Sequence, residues 1–232
     1  MFTTTPQRLR PFRSPAGDLV EANNRLQRRV GELQAVQEMA QAITCELRLD
    51  ALLETALATL SSLTGAQALT LLLAEPSQSA LVVRARRGGG RHAVGERIEV
   101  GRGLSGWVAE HRVPLLLPAV EDRPEFRALA RAEGCDEGSF VAVPLMCRDR
   151  LLGVVCAAEK AGGLAFDERD LRILICLAPH LTIAIHNATR FQEAQERALA
   201  ALNALAESAR AAGAQVDPGL LEPFRRAVAG AH

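Results

Sequence analysis

The N-terminal part of the chain shows a helical spacing of apolar positions. From Asp18 onward, apolar side chains recur at alternating steps of three and four residues, the heptad spacing of a helix that pairs with another helix. This stripe predicts a coiled-coil-like helix over residues 18–45, after a disordered N-terminal tail over 1–17. The following "ALLETALATLSSLTG" repeats leucine and alanine on one face and ends at Gly65, which predicts a second helix.

From residue 66 the pattern changes to that of short strands. "AQALTLLLAE" and "SALVVRARR" flank the turn "PSQ", and "ERIEV" and "PLLLP" follow as shorter strands. "SFVAVPLMCRDRLLGVVCAAEK" contains two apolar runs around Arg148 and Asp149, which predicts a hairpin with its turn there. Short helices are expected in "LSGWVAEHR" and "PEFRALARAEG". The segment therefore predicts about six mostly antiparallel strands with small helices between them.

The last segment is again helical. It opens at "FDERDL", where acidic side chains suit the positive end of a helix, and Pro179 is expected to kink it. Apolar and small side chains recur at steps near 3.5, which predicts a coiled-coil extension over 193–213 before a tail over 214–232. The stripe consists of Leu181, Ile185, Ala188, Gln195, Ala198, Leu202, Leu205 and Ala209. Helices at both ends and strands between them make the fold class α+β.

Composition narrows the classes of function. Apolar residues make up 48% of the chain but aromatic residues only 3%, so the core must be aliphatic. The 27 basic and 27 acidic side chains give no net charge, which argues against nucleic-acid binding. We find no leader pattern and no apolar run of membrane-spanning length, so a soluble, cytoplasmic protein is expected, with no membrane partner. The five cysteines show no C-x-x-C spacing, and we predict no metal site.

Gly101, Gly103 and Gly106 have the spacing G-x-G-x-x-G of nucleotide-binding loops. A dinucleotide-binding fold needs a full crossover helix after this motif, whereas Pro114 ends the helix here after two turns. A protein kinase needs a lysine on a following strand and a His-Arg-Asp motif, and neither is present. We therefore interpret the glycines as a tight strand-to-helix turn, whose N–H groups near Leu104 and Ser105 are a further candidate anion site.

In order and spacing, three segments resemble the GAF domain family of small-molecule sensors. They are "GRGLSGWVAEHRVPLLLPAVED", "SFVAVPLMCRDRLLGVVCAAEK" and "FDERDLRILICLAPHLTIAIHNATRF". The resemblance places a GAF domain over 46–192, which shares its terminal helices. It implies a six-stranded antiparallel sheet with the long N- and C-terminal helices on one face and a loop-roofed ligand pocket on the other.

The resemblance also implies a function and a set of site residues. GAF domains commonly form homodimers through their terminal helices, and the heptad-like stripes fit such a bundle. We therefore expect a dimeric, non-enzymatic sensor or signalling module that acts on a separate output protein, with no catalytic residues and an unknown ligand. The predicted ligand-binding residues are Trp107, Asp122, Phe126, Cys135, Ser139 and Glu159.

Known ligand classes of the family fit this sequence poorly. Glu159-Lys160, Phe166 and Asp170 match part of the pattern of cyclic-nucleotide-binding members, but Glu159 replaces an asparagine and Leu171 an acid. The matched residues also have a plain structural interpretation, in which Lys160 pairs with Asp170 and Phe166 fills the core. The histidine of haem-binding members and the Cys-His pair of bilin-binding members are absent.

Cys135 keeps two alternative functions open. "GCDEGSFVAVPL" resembles a segment of the free methionine sulfoxide reductases, which are catalytic GAF proteins, but Ser105 stands where that family has a second cysteine. Without that thiol the usual reduction cycle cannot close, although Cys135 could act as a one-cysteine redox sensor; neighbouring carboxylates disfavour its thiolate. Cys147, Cys156 and Cys176 are expected in the core. The other alternative is a ligand-free dimerisation scaffold whose own side chains fill the pocket.

Overall fold

The computed structural model describes residues 48–89, 92–135 and 138–211. The helix predicted over 18–45 and the tails predicted over 1–17 and 214–232 lie outside the described residues. The strands are β1 (Ala66–Ala74), β2 (Ala80–Arg87), β3 (Arg97–Glu99), β4 (Leu115–Leu117), β5 (Phe140–Cys147) and β6 (Arg150–Lys160). The helices are α1 (Leu49–Thr64), α2 (Gly103–His111), α3 (Arg127–Glu133) and α4 (Glu168–Ala211).

The six strands form one antiparallel sheet in the order β3-β2-β1-β6-β5-β4. The two longest ladders join β6 to β1 and to β5, with Val155 opposite both Leu71 and Val143. The predicted hairpin is confirmed, because Cys147 pairs with Arg150 around a turn in which Arg148 has a φ of 55°. The α+β class and the six-stranded antiparallel sheet are thus as predicted.

The helices α1 and α4 cover one face of this sheet. α1 contacts β1, β2 and α4, and α4 contacts β5. Gly65 ends α1 as predicted, in the left-handed conformation that lets its N–H donate to the Ser61 carbonyl. The buried face of α1 consists of Leu49, Leu52, Leu53, Ala56, Leu57, Leu60 and Thr64.

The other face of the sheet carries α2, α3 and the two 3₁₀ turns Val120–Asp122 and Pro124–Phe126. Leu104 and Val108 of α2 and Ala130 of α3 are fully buried against Phe140 and Val154 of the sheet. Helices cover both faces of the sheet. Consecutive side chains of β5 and β6, which point to opposite faces, are therefore both buried, and these two strands are nearly continuous apolar runs.

The first part of the apolar stripe predicted on the last helix lies in the core of the domain. Leu181, Ile185 and Ala188 are buried inside the domain, so this part of the stripe stabilises the subunit itself and is not available to a second helix. Among the α4 side chains that the structure describes, the exposed large apolar ones are instead Ile175 and Ile183. They lie on another face of the helix, which the sequence pattern did not distinguish.

Candidate functional site

A cavity of about 680 Å³ lies on the face of the sheet that carries α2 and α3. Thr70 of β1 and Cys156 and Ala158 of β6 line it from the sheet. Further walls come from His92 in the β2–β3 connection, from Glu133, from the residues between α3 and β5, and from the end of β6. Its volume falls in the range of small-molecule pockets, which makes it the candidate site.

Three of the six predicted ligand-binding residues line this cavity. Cys135 and Ser139 lie in the connection from α3 to β5, and Glu159 lies near the end of β6. Ser139 is buried and Glu159 is exposed. Their role in binding stays a prediction, but the fold brings them together.

The other three residues lie away from the cavity. Trp107 is half-buried and packs against the core, with its ring stacked on His111 at 4.2 Å and Phe126 edge-on at 5.2 Å. Asp122 is exposed in a 3₁₀ turn. The structure therefore separates Trp107, Asp122 and Phe126 from the cavity-lining group, because α2 directs its aromatic side chain towards the 3₁₀ turns.

The glycine motif forms the tight turn that the sequence predicts. Gly101 and Gly103 have φ values of 86° and 71°, which favour glycine. The N–H of Gly101 donates to the Gly106 carbonyl at 2.9 Å. A Cβ atom on Gly106 would come within 2.6 Å of the Glu99 carbonyl oxygen. The motif thus allows close packing of β3 against α2.

The start of α2 is already occupied by the carboxyl group of Glu133. The backbone N–H of Ser105 donates to Glu133 Oε2 at 3.3 Å, and the Ser105 hydroxyl donates to Oε1. The Leu104 N–H also donates to this carboxylate. The suggestion that the N–H groups near Leu104 and Ser105 meet an anionic ligand is therefore corrected, since a side chain of α3 occupies them.

Glu133 sits in an unusual electrostatic environment. Its side chain is only 7% exposed, and this burial raises the pKa of its carboxyl because the charged form is poorly solvated. The hydrogen bonds from Ser105 and the nearby His92 ring act in the opposite direction. Nothing in the sequence predicts the burial of Glu133, because its pattern is that of an ordinary glutamate in a helix.

His92 is a second cavity residue that the sequence did not identify. Its Nδ1 lies 2.9 Å from Glu96 Oε1, and the Ala93 N–H donates to Glu96 Oε2, also at 2.9 Å. The hydrogen bond from His92 lowers the pKa of the Glu96 carboxyl. His92 Nε2 is buried, lies 3.9 Å from Glu133 Oε1 and has no hydrogen-bond partner among the described residues.

Lys160 and Asp170 have the structural role that the sequence allowed. Lys160 Nζ donates to Asp170 Oδ2 at 2.5 Å, and the Asp167 N–H donates to the same oxygen at 2.9 Å. Lys160 also lies over the ring of Phe166, which is buried. These contacts join the end of β6 to the start of α4, and they account for all three matched residues of the cyclic-nucleotide pattern.

The cysteines differ more than the sequence indicates. Cys156 is buried, as predicted, and burial raises the pKa of its thiol to about 12. Cys147 is half-buried, and Cys176 is exposed on α4. The prediction of a core position is therefore wrong for Cys176, because apolar periodicity cannot tell which side of a long helix faces the sheet. Cys45 lies outside the described residues.

Two further features of the described residues bear on function. No group of three or more histidine, cysteine, aspartate and glutamate side chains there is arranged to hold a metal ion. One stretch of α4, Glu168–Ala201, has the length and hydropathy of a membrane span, but 44% of its apolar window is buried inside the domain. The sequence pattern did not predict this run, and the core helix of a globular domain can have the same length and hydropathy.

Comparison with known proteins gives consistent results. The model of the GAF domain family matches residues 46–186. The fold is similar to the GAF domain of an Acinetobacter phosphoenolpyruvate-protein phosphotransferase, with a TM-score of 0.57 and 19% identity over 68% of this chain and 95% of that one. It is also similar to the free methionine-R-sulfoxide reductase of Neisseria meningitidis in complex with its substrate, with a TM-score of 0.56 and 24% identity over 67% and 89% of the two chains.

Proposed function

The chain belongs to the GAF domain family, and from this premise we propose that it is a dimeric, cytoplasmic sensor that binds a small molecule in the cavity beside β1 and β6. The single observation that carries the proposal is the cavity itself. The side chains that the structure describes leave about 680 Å³ there, whereas a ligand-free scaffold would fill its pocket. The family is one of small-molecule sensors and signalling modules.

The charges around the cavity support a neutral or cationic polar ligand. Glu133 and Glu159 bring carboxylates to its wall. Lys160 also lines it, but its charge is balanced by Asp170. Neutral hydrogen-bonding groups come from Gln67, Thr70 and Ser139. A phosphate group would meet the exposed Glu159 carboxylate and no uncompensated lysine, which argues against a cyclic nucleotide.

A signal from the cavity would reach the terminal helices through β6, which borders both. Cys156 of β6 faces the cavity, and its neighbour Val155 points to the opposite face of the sheet, where α1 and α4 pack. A ligand that shifts β6 therefore shifts the surface on which these helices rest. Since packed interfaces switch between discrete arrangements, such a shift would bias α4 towards one of two positions.

Dimerisation and an output partner complete the proposal. α4 is 44 residues long, or about 66 Å at 1.5 Å per residue, and most of its side chains from Arg190 to Ala201 are exposed or half-buried. A helix this exposed is stabilised by packing against another helix. We propose that the partner is a second copy, and that a separate output protein receives the signal.

Cys135 favours a second candidate, catalysis of the free methionine sulfoxide reductase type, because it lines the cavity. Against this, Ser105 and not a cysteine stands on the glycine turn, and its hydroxyl is bonded to Glu133. An NADPH-coupled assay with free methionine sulfoxide tests it. Turnover that is lost in Cys135→Ser would replace the sensor proposal with the enzyme.

Native mass spectrometry of the protein purified from its own cells tests the sensor proposal. We expect a dimer that carries a small extra mass, and we expect Ala158→Phe, which narrows the cavity, to lose that mass. Ala132→Phe is the control, since Ala132 is exposed on α3. Equal retention in Ala158→Phe, or no retained mass in the wild type, would contradict binding in this cavity.

A further inference from the structure

Three side chains that line the cavity have no counterpart among the described residues. The Glu159 carboxylate takes part in no hydrogen bond and no ion pair with them. Ser139 is only 5% exposed, yet its hydroxyl has no hydrogen-bond partner among them. Leu164, in the connection from β6 to α4, is 64% exposed. Since buried hydroxyls are normally hydrogen-bonded, the Ser139 side chain indicates that a further polar group belongs in this cavity.

An unusual backbone conformation brings Glu159 to the cavity. Successive residues of a strand point to opposite faces of the sheet, and Ala158 packs on the cavity side. Regular strand geometry would therefore direct Glu159 to the face that α1 and α4 cover. Glu159 instead has a φ of 56°, in the left-handed region that is unfavourable for a glutamate, and it lines the cavity. The fold thus holds this carboxylate at the cavity wall despite a cost in backbone energy.

The charge of Glu159 is not compensated within the described wall of the cavity. Lys160, the next residue, is paired with Asp170. The buried carboxyl of Glu133 is engaged with Ser105 at the start of α2. Glu159 is the exposed carboxylate of this wall. A ligand with a cationic nitrogen would supply the counterion and would donate charge-assisted hydrogen bonds to it.

The wall beside Glu159 is apolar. Ala158 is opposite Ala68 of β1 on one side and opposite Phe140 of β5 on the other, and all three residues line the cavity. The two alanines leave room above the sheet because their side chains are small. Leu164 also lines this cavity but is excluded from the core. A hydrocarbon group held between Leu164 and the alanines would remove apolar surface of both from water.

We propose that the cavity binds a small amphipathic ammonium compound, with the cationic nitrogen on Glu159, the hydrocarbon part under Leu164, and the Ser139 hydroxyl as a hydrogen-bonding group inside the cavity. This proposal rests on the cavity of the proposed function. It narrows the ligand from polar molecules in general to organic cations with an apolar part, and it assigns separate roles to Glu159 and Leu164.

Charge separates this ligand class from the two others that the same apolar wall would accept. An anionic amphiphile would be repelled by the Glu159 carboxylate. A neutral alcohol of the same length would make the same apolar contacts but would leave that carboxylate without a counterion. Because hydrogen bonds to charged groups are stronger than those between neutral groups, the ammonium compound should bind about tenfold more tightly than the alcohol.

Three probes with the same hydrocarbon chain test the proposal: hexylammonium, hexanol and hexanoate, each titrated into the full chain at neutral pH and followed through the protein's methyl NMR signals. We expect hexylammonium to bind most tightly and hexanoate least. Glu159→Gln should weaken hexylammonium about tenfold and change hexanol less than about twofold. Glu168→Gln is the matched control, because Glu168 is exposed on α4 and does not line the cavity. Leu164→Ser should weaken both probes alike, whereas Val113→Ser, at an exposed valine away from the cavity, should weaken neither.

The outcomes separate this proposal from the proposed function. Equal affinity for hexylammonium and hexanol, an unchanged hexylammonium affinity in Glu159→Gln, or no binding of hexylammonium at millimolar concentration would each overturn the ammonium assignment. A mass that the wild type retains in native mass spectrometry and Ala158→Phe loses would still support the cavity in those cases. Hexylammonium that binds Ala158→Phe as tightly as wild type would place its site outside the cavity.

Discussion

The carboxylate of Glu133 takes the place at the start of α2 that a bound anion would otherwise occupy. Gly103 has a φ of 71°, which favours glycine, and a Cβ atom there would meet the Glu133 carboxyl group. A glycine-rich turn and a helix start thus serve an internal contact between α2 and α3. The same two features usually indicate phosphate binding.

The burial of Glu133 predicts a pH effect on stability. Because its pKa is raised in the folded protein, the folded state binds the proton more tightly than the unfolded state does. The group therefore favours folding most below its ordinary value of 4.5, and this contribution is lost as the pH rises from there to the raised value. Glu133→Gln removes the effect, so its stability relative to wild type should improve as the pH rises from 5 to 8.

Urea denaturation at both pH values measures this difference. Glu110→Gln, on the exposed surface of α2, is the control and should keep a constant difference from wild type. A constant difference for Glu133→Gln would mean that the hydrogen bonds from Ser105 and Leu104 fully offset the burial.

At the scale of elements, the junction of β6 and α4 depends on one ion pair. Asp170 is nearly fully buried, and it accepts hydrogen bonds both from Lys160 and from the backbone of Asp167. The Asp167 carboxylate in turn accepts from the N–H groups of Arg169 and Asp170, which lowers the pKa of Asp167. The acidic start of α4 thus both begins the helix and attaches it to the sheet.

Asp170→Asn should destabilise the fold by about 2–3 kcal/mol, because it leaves the largely buried Lys160 ammonium without its anion. Equilibrium unfolding in urea measures the loss. Glu168→Gln is the matched control in the same helical turn, and since Glu168 is exposed its effect should stay within about 0.5 kcal/mol. An equally small effect of Asp170→Asn would show that the ion pair does not stabilise this junction.

At the scale of the whole molecule, α4 combines a buried and an exposed apolar face. Leu174, Leu177 and Leu181 belong to the core, whereas Ile175 and Ile183 are 43% and 54% exposed. These two isoleucines are therefore the described apolar side chains of α4 that we propose for contact with a second copy. The proposed dimer uses this face and the exposed C-terminal part of α4.

We expect the double variant Ile175→Glu with Ile183→Glu to convert the dimer to a monomer in light scattering coupled to size-exclusion chromatography, because like charges would then meet at the interface. Val94→Glu is the control, since Val94 is 60% exposed in the β2–β3 connection. A double variant that stays dimeric at micromolar concentration would place the interface elsewhere.

Local patterns in the sequence predicted most of the elements. Alternation and apolar runs located the strands, Gly65 the end of α1, and Arg148 with Asp149 the hairpin turn. The order of these elements, with the quoted motifs, was sufficient for the fold class and the family. These features could be predicted from the sequence because each depends on residues that are close together in the chain.

The site depended on contacts between distant residues. Ser105 and Glu133 are 28 residues apart, and His92 comes from a glycine-rich connection without any periodic pattern. Likewise, the spacing of Leu181 and Ile185 predicts pairing with another helix, but in the structure both are buried inside the domain. The sequence by itself determined which elements form and in what order. Only the tertiary structure decided which charges meet at the cavity and which face of α4 stays exposed, because both depend on how the elements pack.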